Sequence, residues 1–336
     1  MINTKLSVVV PSYQRPCDLK RCLAALAAQN RPSDEILVVL RETDLETKKV
    51  VAAHQERLPS LIALPVAEPG LIQALNRGLD NAKGEFIVFT DDDSEPEPDW
   101  LERIERSFED DRVGAVGGRD WLQLPNEPAL FAPTETVKIG MLSWYGKQHG
   151  NHHCPVHGHA RLVMFLKGVN MAFRRSGLGD YRIDGRLRGK GAQVGSELDL
   201  CMHVRRSGFN VLFDDRILVK HYSAARPGGE DRTDVDSQIW KDTCYNTHYL
   251  IAKHFGQFQA WAHFCYRALF GTHALPGLLA SIRWMLKGDF QIWRRMLQIT
   301  SIALEGHRDG RCSRNKKSRF AKNLQLAQQP LSTRSM

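Results

Sequence analysis

Phe86-Ile87-Val88-Phe89-Thr90-Asp91-Asp92-Asp93 is a run of four apolar residues that stops, one threonine later, in three adjacent carboxylates. The apolar part is β-branched and aromatic, as a strand buried on both faces requires. Three neighbouring acids repel one another unless a cation sits among them. A hard divalent ion such as Mg2+ or Mn2+ suits these oxygen donors and the phosphates of a substrate. The plainer alternative is an acidic turn before a helix, a task that Ser94 and Asp99 could perform unaided. The strand's carboxyl end followed by Glu95-Pro96-Glu97-Pro98-Asp99-Trp100 favours the ligand-binding reading.

Outward from this run the chain alternates. Leu6–Val10, Ile36–Leu40 and Leu61–Val66 read as further buried strands. Residues 18–29 carry Leu19, Cys22, Leu23 and Leu26 at helical spacing, and residues 70–81 carry Leu71, Ala74, Leu75 and Leu79. Residues 44–57 suit a helix with Asp44 as N-cap. This predicts an α/β domain with a mostly parallel central sheet flanked by helices, whose ligands bind beyond the carboxyl ends of the strands. From 121 to 165, prolines and glycines predict a long loop region. Order is expected again at Phe165–Phe173, in a helix over 196–207, and in two strands at Val211–Phe213 and Ile217–His221. Residues 237–305 read as helices with a turn at Pro276-Gly277.

The 336 residues are 42% hydrophobic and 25% charged, which excludes a mainly disordered, collagenous or coiled-coil chain. No stretch reaches the roughly 18 apolar residues of a clean membrane span. Met1–Val10, stopped by Pro11, does not read as a secretory signal. Seven cysteines without CxxC spacing make neither a disulfide framework nor a strong zinc site, so a cytoplasmic, reducing location is expected.

The net charge of +8 is uneven. Residues 1–239 hold 31 basic and 34 acidic side chains, whereas residues 240–336 hold 15 and 4. A basic end suggests an anionic partner, either a phospholipid surface or nucleic acid. Nucleic acid is disfavoured, because the tail has Phe320 as its sole aromatic and no recognition motif is present. Residues 255–305 interleave aromatics with arginines, which suits helices lying at the inner face of a membrane; packing on the catalytic domain or self-association is the alternative. The expected division is a catalytic domain over 1–236, a helical, membrane-facing region over 237–307 and a basic flexible tail over 308–336.

Taken in order, several segments resemble a family 2 glycosyltransferase of the GT-A fold, of the kind that builds bacterial polysaccharides. They are Val8–Pro16, Glu35–Val39, Glu68-Pro69-Gly70, Ala74–Leu79, Gly84–Phe89 with the acidic triplet, Pro98–Leu101, Lys167–Arg175, Ser196–Cys201, Arg205–Phe209 and Val219-Lys220-His221. The resemblance covers roughly residues 5–225 and implies inverting, metal-dependent transfer of a sugar from a nucleotide-diphosphate sugar to a sugar or lipid-linked hydroxyl acceptor. It implies that Pro11, Ser12, Tyr13 and Arg15 receive the nucleotide. Relatives often end the second strand in an Asp that reads the base; here the run is Leu40-Arg41-Glu42-Thr43-Asp44, and Arg41 and Asp44 are the nearest candidates. Asp91 and Asp92 fall on the nucleoside side of the acidic motif, and Asp93 with Asp91 on the metal. His221 matches a position that completes the metal site. The base belongs to an acidic pair at a helix start, which here reads Ser196-Glu197 with Asp199 beyond; Glu197 is the first candidate and Asp199 the second.

His152-His153-Cys154-Pro155-Val156-His157-Gly158-His159 fits no tetrahedral zinc spacing and is expected to be an ordered loop near the site. Trp100 and Trp121 could stack on a sugar or pack in the core. The competing function is a catalytically degenerate GT-A-like binding or scaffold protein held at a membrane, which the departure at Ser196-Glu197 keeps open.

Overall fold

The computed structural model describes residues 4–124, 127–128, 137–156, 160–189, 191, 193–222, 237–271, 276–288 and 291–327. The chain divides into two compact units, Met1–Ser143 with Lys147–Asp231, and Trp144–Gly146 with Arg232–Met336.

In the first unit β1 (Leu6–Ser12), α1 (Pro16–Ala27), β2 (Glu35–Arg41), α2 (Leu45–Gln55), β3 (Leu61–Val66), α3 (Leu71–Asn81) and β4 (Phe86–Phe89) alternate as their periodicity predicts. β5 (Ser94–Pro96), α4 (Trp100–Ser107), β6 (Val113–Leu124), β7 (Glu127–Pro128), β8 (Met141–Leu142), β9 (Gln148–His149) and β10 (Arg161–Leu162) follow. β11 (Met171–Arg174), α5 (Arg175–Leu178), α6 (Ser196–Arg206) and β12 (Asn210–His221) complete the unit.

The main sheet runs β10-β12-β6-β11-β4-β1-β2-β3, with β5 on β12 and β7 on β6. β4, β1, β2 and β3 are parallel, so their carboxyl ends share one edge. β11 is antiparallel to both β4 and β6, while β6 and β12 are parallel. The core holds Val8, Val10, Ile36, Val38 and Val88 against Leu19, Leu23, Trp100 and Ile104, all essentially buried. Each such aliphatic side chain contributes roughly 1.5–3 kcal/mol.

Two expectations need correction here. The strands expected at 211–213 and 217–221 are one strand, β12, with its register broken between Asp214 and Leu218. The break is stabilised from within: Arg216 holds Asp214 at 2.6 Å, and Asn170 donates to the Ile217 carbonyl at 2.8 Å. The expected loop from 121 is preceded and entered by β6, a long strand whose Gly114, Gly117, Gly118, Arg119 and Asp120 hide its pattern. Side chains could not replace Gly117 and Gly118, because a Cβ would meet the carbonyls of Asn170 at 2.4 Å and Ile217 at 1.9 Å.

The second unit contains α7 (Gln238–His254), α8 (Gln257–Phe270), α9 (Leu278–Met285) and α10 (Gln291–Ala327). α7 and α10 lie close because Gly306 and Gly310 meet the backbone of Tyr245 and Tyr249. Tyr245 donates to Asp309 at 2.9 Å, and Tyr249 bonds Ser313 at 3.0 Å. The boundary expected at 307/308 therefore falls inside a packed helix, and residues 308–313 are held rather than flexible; residues 328–336 lie outside the described residues. Among the described residues no helix is long and apolar enough to cross a membrane. All seven cysteines are free thiols.

Candidate active site

The carboxyl ends of β1, β2, β3 and β4 meet at one cavity of about 240 Å³, where ligands of parallel sheets bind. Pro11 and Ser12 line it from β1, Tyr13 and Arg15 from the turn that follows, Leu40 and Arg41 from β2, Val66 from β3, and Asp91 and Asp92 from the turn after β4. Tyr13 is 41% exposed, and the Arg41 guanidinium lies 5.9 Å from its ring centre. A flat heterocycle could stack on that pair. Glu68-Pro69-Gly70-Leu71 forms another wall and leads into α3. Gly70 has φ +124°, a conformation open to glycine and rare for other residues. It abuts Gln193, whose Oε1 accepts from the Ile72 amide at 2.9 Å.

The acidic turn is held by buried hydroxyls. Thr90 donates to the Val169 carbonyl at 2.8 Å and Ser94 to the Asp91 carbonyl at 2.6 Å, with the two hydroxyl oxygens 2.7 Å apart. The three acids differ in role. Asp92 accepts from Ser12 Oγ at 2.8 Å and from Arg15 at 3.0 Å, so it ties β1 to β4. Arg15 also reaches Asp93 at 3.3 Å. Asp91, Asp93 and His221 each offer one donor atom, all within 4.8 Å of one another. Two carboxylate oxygens and an imidazole nitrogen fit a divalent cation such as Mn2+ or Mg2+.

His221 reaches this cluster because β12 pairs with β5, setting His221 opposite Ser94, and because the Tyr222 amide donates to the Asp93 carbonyl at 3.0 Å. Its Nε2 lies 3.4 Å from Asp93 Oδ1. Its Nδ1 lies 2.9 Å from Asp120 Oδ1 on neighbouring β6. A carboxylate only accepts, so Nδ1 carries the hydrogen. Burial opposes a charge on His221, but the hydrogen bonds and charges of Asp120 and Asp93 outweigh it and push its pKa up to about 10. Burial first, then Asp93, pushes Asp91 up to about 7; burial also pushes Asp92 up to about 6 against the pull of Arg15.

Of the expected site residues, Asp44 stands apart. It caps α2 by accepting from Thr47 at 3.2 Å, and its other oxygen takes the Gln14 amide at 2.6 Å and the Thr47 hydroxyl at 2.7 Å. It does not line the cavity, whereas Arg41 does. Glu197 is half-buried in the first turn of α6 and accepts from Ser196 at 3.1 Å. Asp199 is fully buried and accepts the Asp184 amide at 3.1 Å. Trp100 is fully buried and donates to Asn170 at 2.9 Å, so it packs and does not face a sugar. Trp121 is partly exposed beside Arg119. His152 is a core residue bonded to the Phe165 carbonyl at 3.1 Å, its pKa pushed down to about 4 by burial; His157–His159 lie outside the described residues.

Sequence reasoning missed Asp120. A signal was present, a carboxylate directly after Gly117-Gly118-Arg119, but it sits 101 residues from the histidine it holds.

A family model described as glycosyltransferase-like family 2 matches residues 4–233. The uncharacterized glycosyltransferase YibD of Escherichia coli is 30% identical over 124 residues, 36% of each chain. A GalNAc(5)-diNAcBac-PP-undecaprenol β-1,3-glucosyltransferase of Campylobacter jejuni is 34% identical over 94 residues, 27% of this chain and 30% of that one. The matches span 36% and 41% of the first two curated relatives. Among solved structures, S. aureus TarS with UDP-GlcNAc aligns at TM-score 0.56 and 15% identity, covering 94% of this chain and 92% of that one. GalNAc-T7 with UDP, GalNAc and Mn2+ aligns at 0.61 and 17%, covering 86% and 55%. These two likenesses establish the GT-A fold.

Proposed function

This chain belongs to glycosyltransferase-like family 2, and from that premise we propose that it transfers a sugar from a nucleotide-diphosphate donor to a hydroxyl acceptor with inversion. The observation that carries the reading is the cavity at four strand ends, walled on one side by Asp91, whose carboxylate clusters with Asp93 and His221.

The nucleobase stacks on the Tyr13 ring, with Arg41 and the backbone at Pro11-Ser12 at its edge. Arg41 stands where relatives use an acid, so the base it reads presents an acceptor. Asp91, Asp93 and His221 would hold the divalent cation, which when bound neutralises the charge developing on the diphosphate. Glu197 is the general base. It takes the acceptor hydroxyl's proton as that oxygen bonds to the anomeric carbon, while the carbon–oxygen bond to the diphosphate breaks with its electron pair on the leaving group. Asp199 is disfavoured as base because its carboxylate is buried against the Asp184 amide. The acceptor class favoured is a lipid-linked sugar, by analogy with the Campylobacter jejuni relative.

Titrating nucleoside diphosphates with and without Mn2+ tests the reading. Binding that tightens with the metal and is lost in Asp93→Asn is expected. Metal-independent binding, or none, would overturn it in favour of a degenerate scaffold.

A further inference from the structure

In the second unit the outward residues of α8 and α10 form two apolar stripes. On α8, Phe258, Trp261, Cys265 and Leu269 are all exposed and follow one another at three- or four-residue steps, Phe258 at 81%. On α10, Trp293 and Leu297, then Leu304 and Arg308, are exposed four residues apart, with the exposed Ser301 between the two pairs. The stripes meet at a groove of about 560 Å³, lined by Trp261 and Leu304, by the basic Arg308 and Arg311, and by one acid, Glu305. Buried His307 also lines it, and its Nε2 has no hydrogen-bond partner among the described residues.

The charge on these helices is one-sided. Residues 257–314 carry eight Lys and Arg against three Asp and Glu, and 257–288 carry no acid at all. A second copy of the chain would bring the same positive face against itself. An anionic partner would not meet that repulsion, and an apolar body is needed to cover the stripes.

We propose that the α8/α10 face docks the protein on an anionic phospholipid bilayer. The stripes enter the acyl boundary, and the groove seats one lipid head group, its phosphate on Arg308 and Arg311. This goes beyond the transfer reading and does not depend on it.

The test is cosedimentation of the full chain with vesicles of phosphatidylcholine alone or with about 30% phosphatidylglycerol, whose negative surface attracts basic segments. Binding to the anionic vesicles, weak binding to the neutral ones and partial release by high salt are expected. The double variant Arg308→Glu/Arg311→Glu should lose affinity by about thirtyfold or more, at about 1 kcal/mol per basic contact. The exposed-residue variant Phe258→Ser/Leu297→Ser should also bind less while melting like the wild type. Equal binding to both vesicle types, or unchanged binding in the double variant, would overturn the proposal. So would a chain that ignores anionic vesicles at low salt and instead self-associates through this face.

Discussion

His221 and Asp120 are joined at 2.9 Å across the parallel pair β12 and β6, at Nδ1 of the ring that offers Nε2 to Asp93. A carboxylate behind an imidazole fixes the ring's tautomer and orientation and raises its basicity. Asp120 is 2% exposed, and its backbone amide donates to the His152 carbonyl at 3.0 Å, so it is itself held. Asp120→Asn should weaken Mn2+ affinity by about 10- to 100-fold, the usual effect of losing such a partner. Calorimetric titration of Mn2+ into the nucleotide-free protein measures this; an unchanged affinity would remove Asp120 from the metal site.

The two acids of α6 should separate cleanly. Glu197→Gln should leave melting temperature and nucleotide affinity unchanged and lower turnover by about 10²–10⁴. Asp199→Ala should instead destabilise the fold by about 1–3 kcal/mol, because the Asp184 amide loses its acceptor. Urea unfolding read beside steady-state turnover distinguishes them. If Asp199→Asn melts normally and is dead, the base is Asp199.

His152 and His263 are both pushed down to about 4, chiefly by burial. Their folded pKa lies below the unfolded value near 6.5, so the unfolded chain binds more protons between those limits. The stability tied to these two rings is fully present above about pH 6.5 and lost as pH falls towards 4, whereas Asp91 and Asp92, raised to about 7 and about 6, act with the opposite sign over the same range. Denaturant midpoints across that window check this, and His152→Gln should flatten the slope. A pH slope in His152→Gln identical to that of the wild type would show that this ring charges freely in the folded protein.

Gly310 should invert the usual rule for helices. An exposed helical Gly→Ala change gains up to about 1 kcal/mol. Here the new Cβ would lie 2.2 Å from the Tyr249 carbonyl, so α7 and α10 must part. Gly310→Ala should cost about 1–3 kcal/mol, as overpacking does. Thermal melting compared with Gly288→Ala, where no atom lies within 4 Å but φ is +91°, separates steric from conformational cost.

The first half of the sheet was legible because its signals are local. β1 to β4 and α1 to α3 each declare themselves within a dozen residues, and the acidic turn follows directly on β4. β6 was not legible, since its glycines serve carbonyls of Asn170 and Ile217 that arrive 50 or more residues later in space, not in pattern. Within the site, Asp91, Asp93 and His221 could be named from ordered resemblance, and the structure brings their donor atoms together. Asp44 was named both as the cap of α2 and as a nucleotide candidate, because a carboxylate after a strand suits either; its bonds to Gln14 and Thr47 bear out the cap. Trp100 admitted two readings, a sugar platform or core packing, and its burial and bond to Asn170 bear out packing.

The cavity walls come from two sources that share few side chains. Tyr13 and Arg41 stand at the ends of β1 and β2, whereas Asp91 lines the cavity from the turn after β4, where its carboxylate clusters with Asp93 and with His221 from the end of β12. Ser12 and Arg15, through Asp92, are the couplings between these halves. Selection can therefore retune one half by changing Arg41 while the other keeps its chemistry. On the proposed reading, in which Arg41 meets the base, a lineage that exchanged one nucleotide for another would leave its trace at the tip of β2.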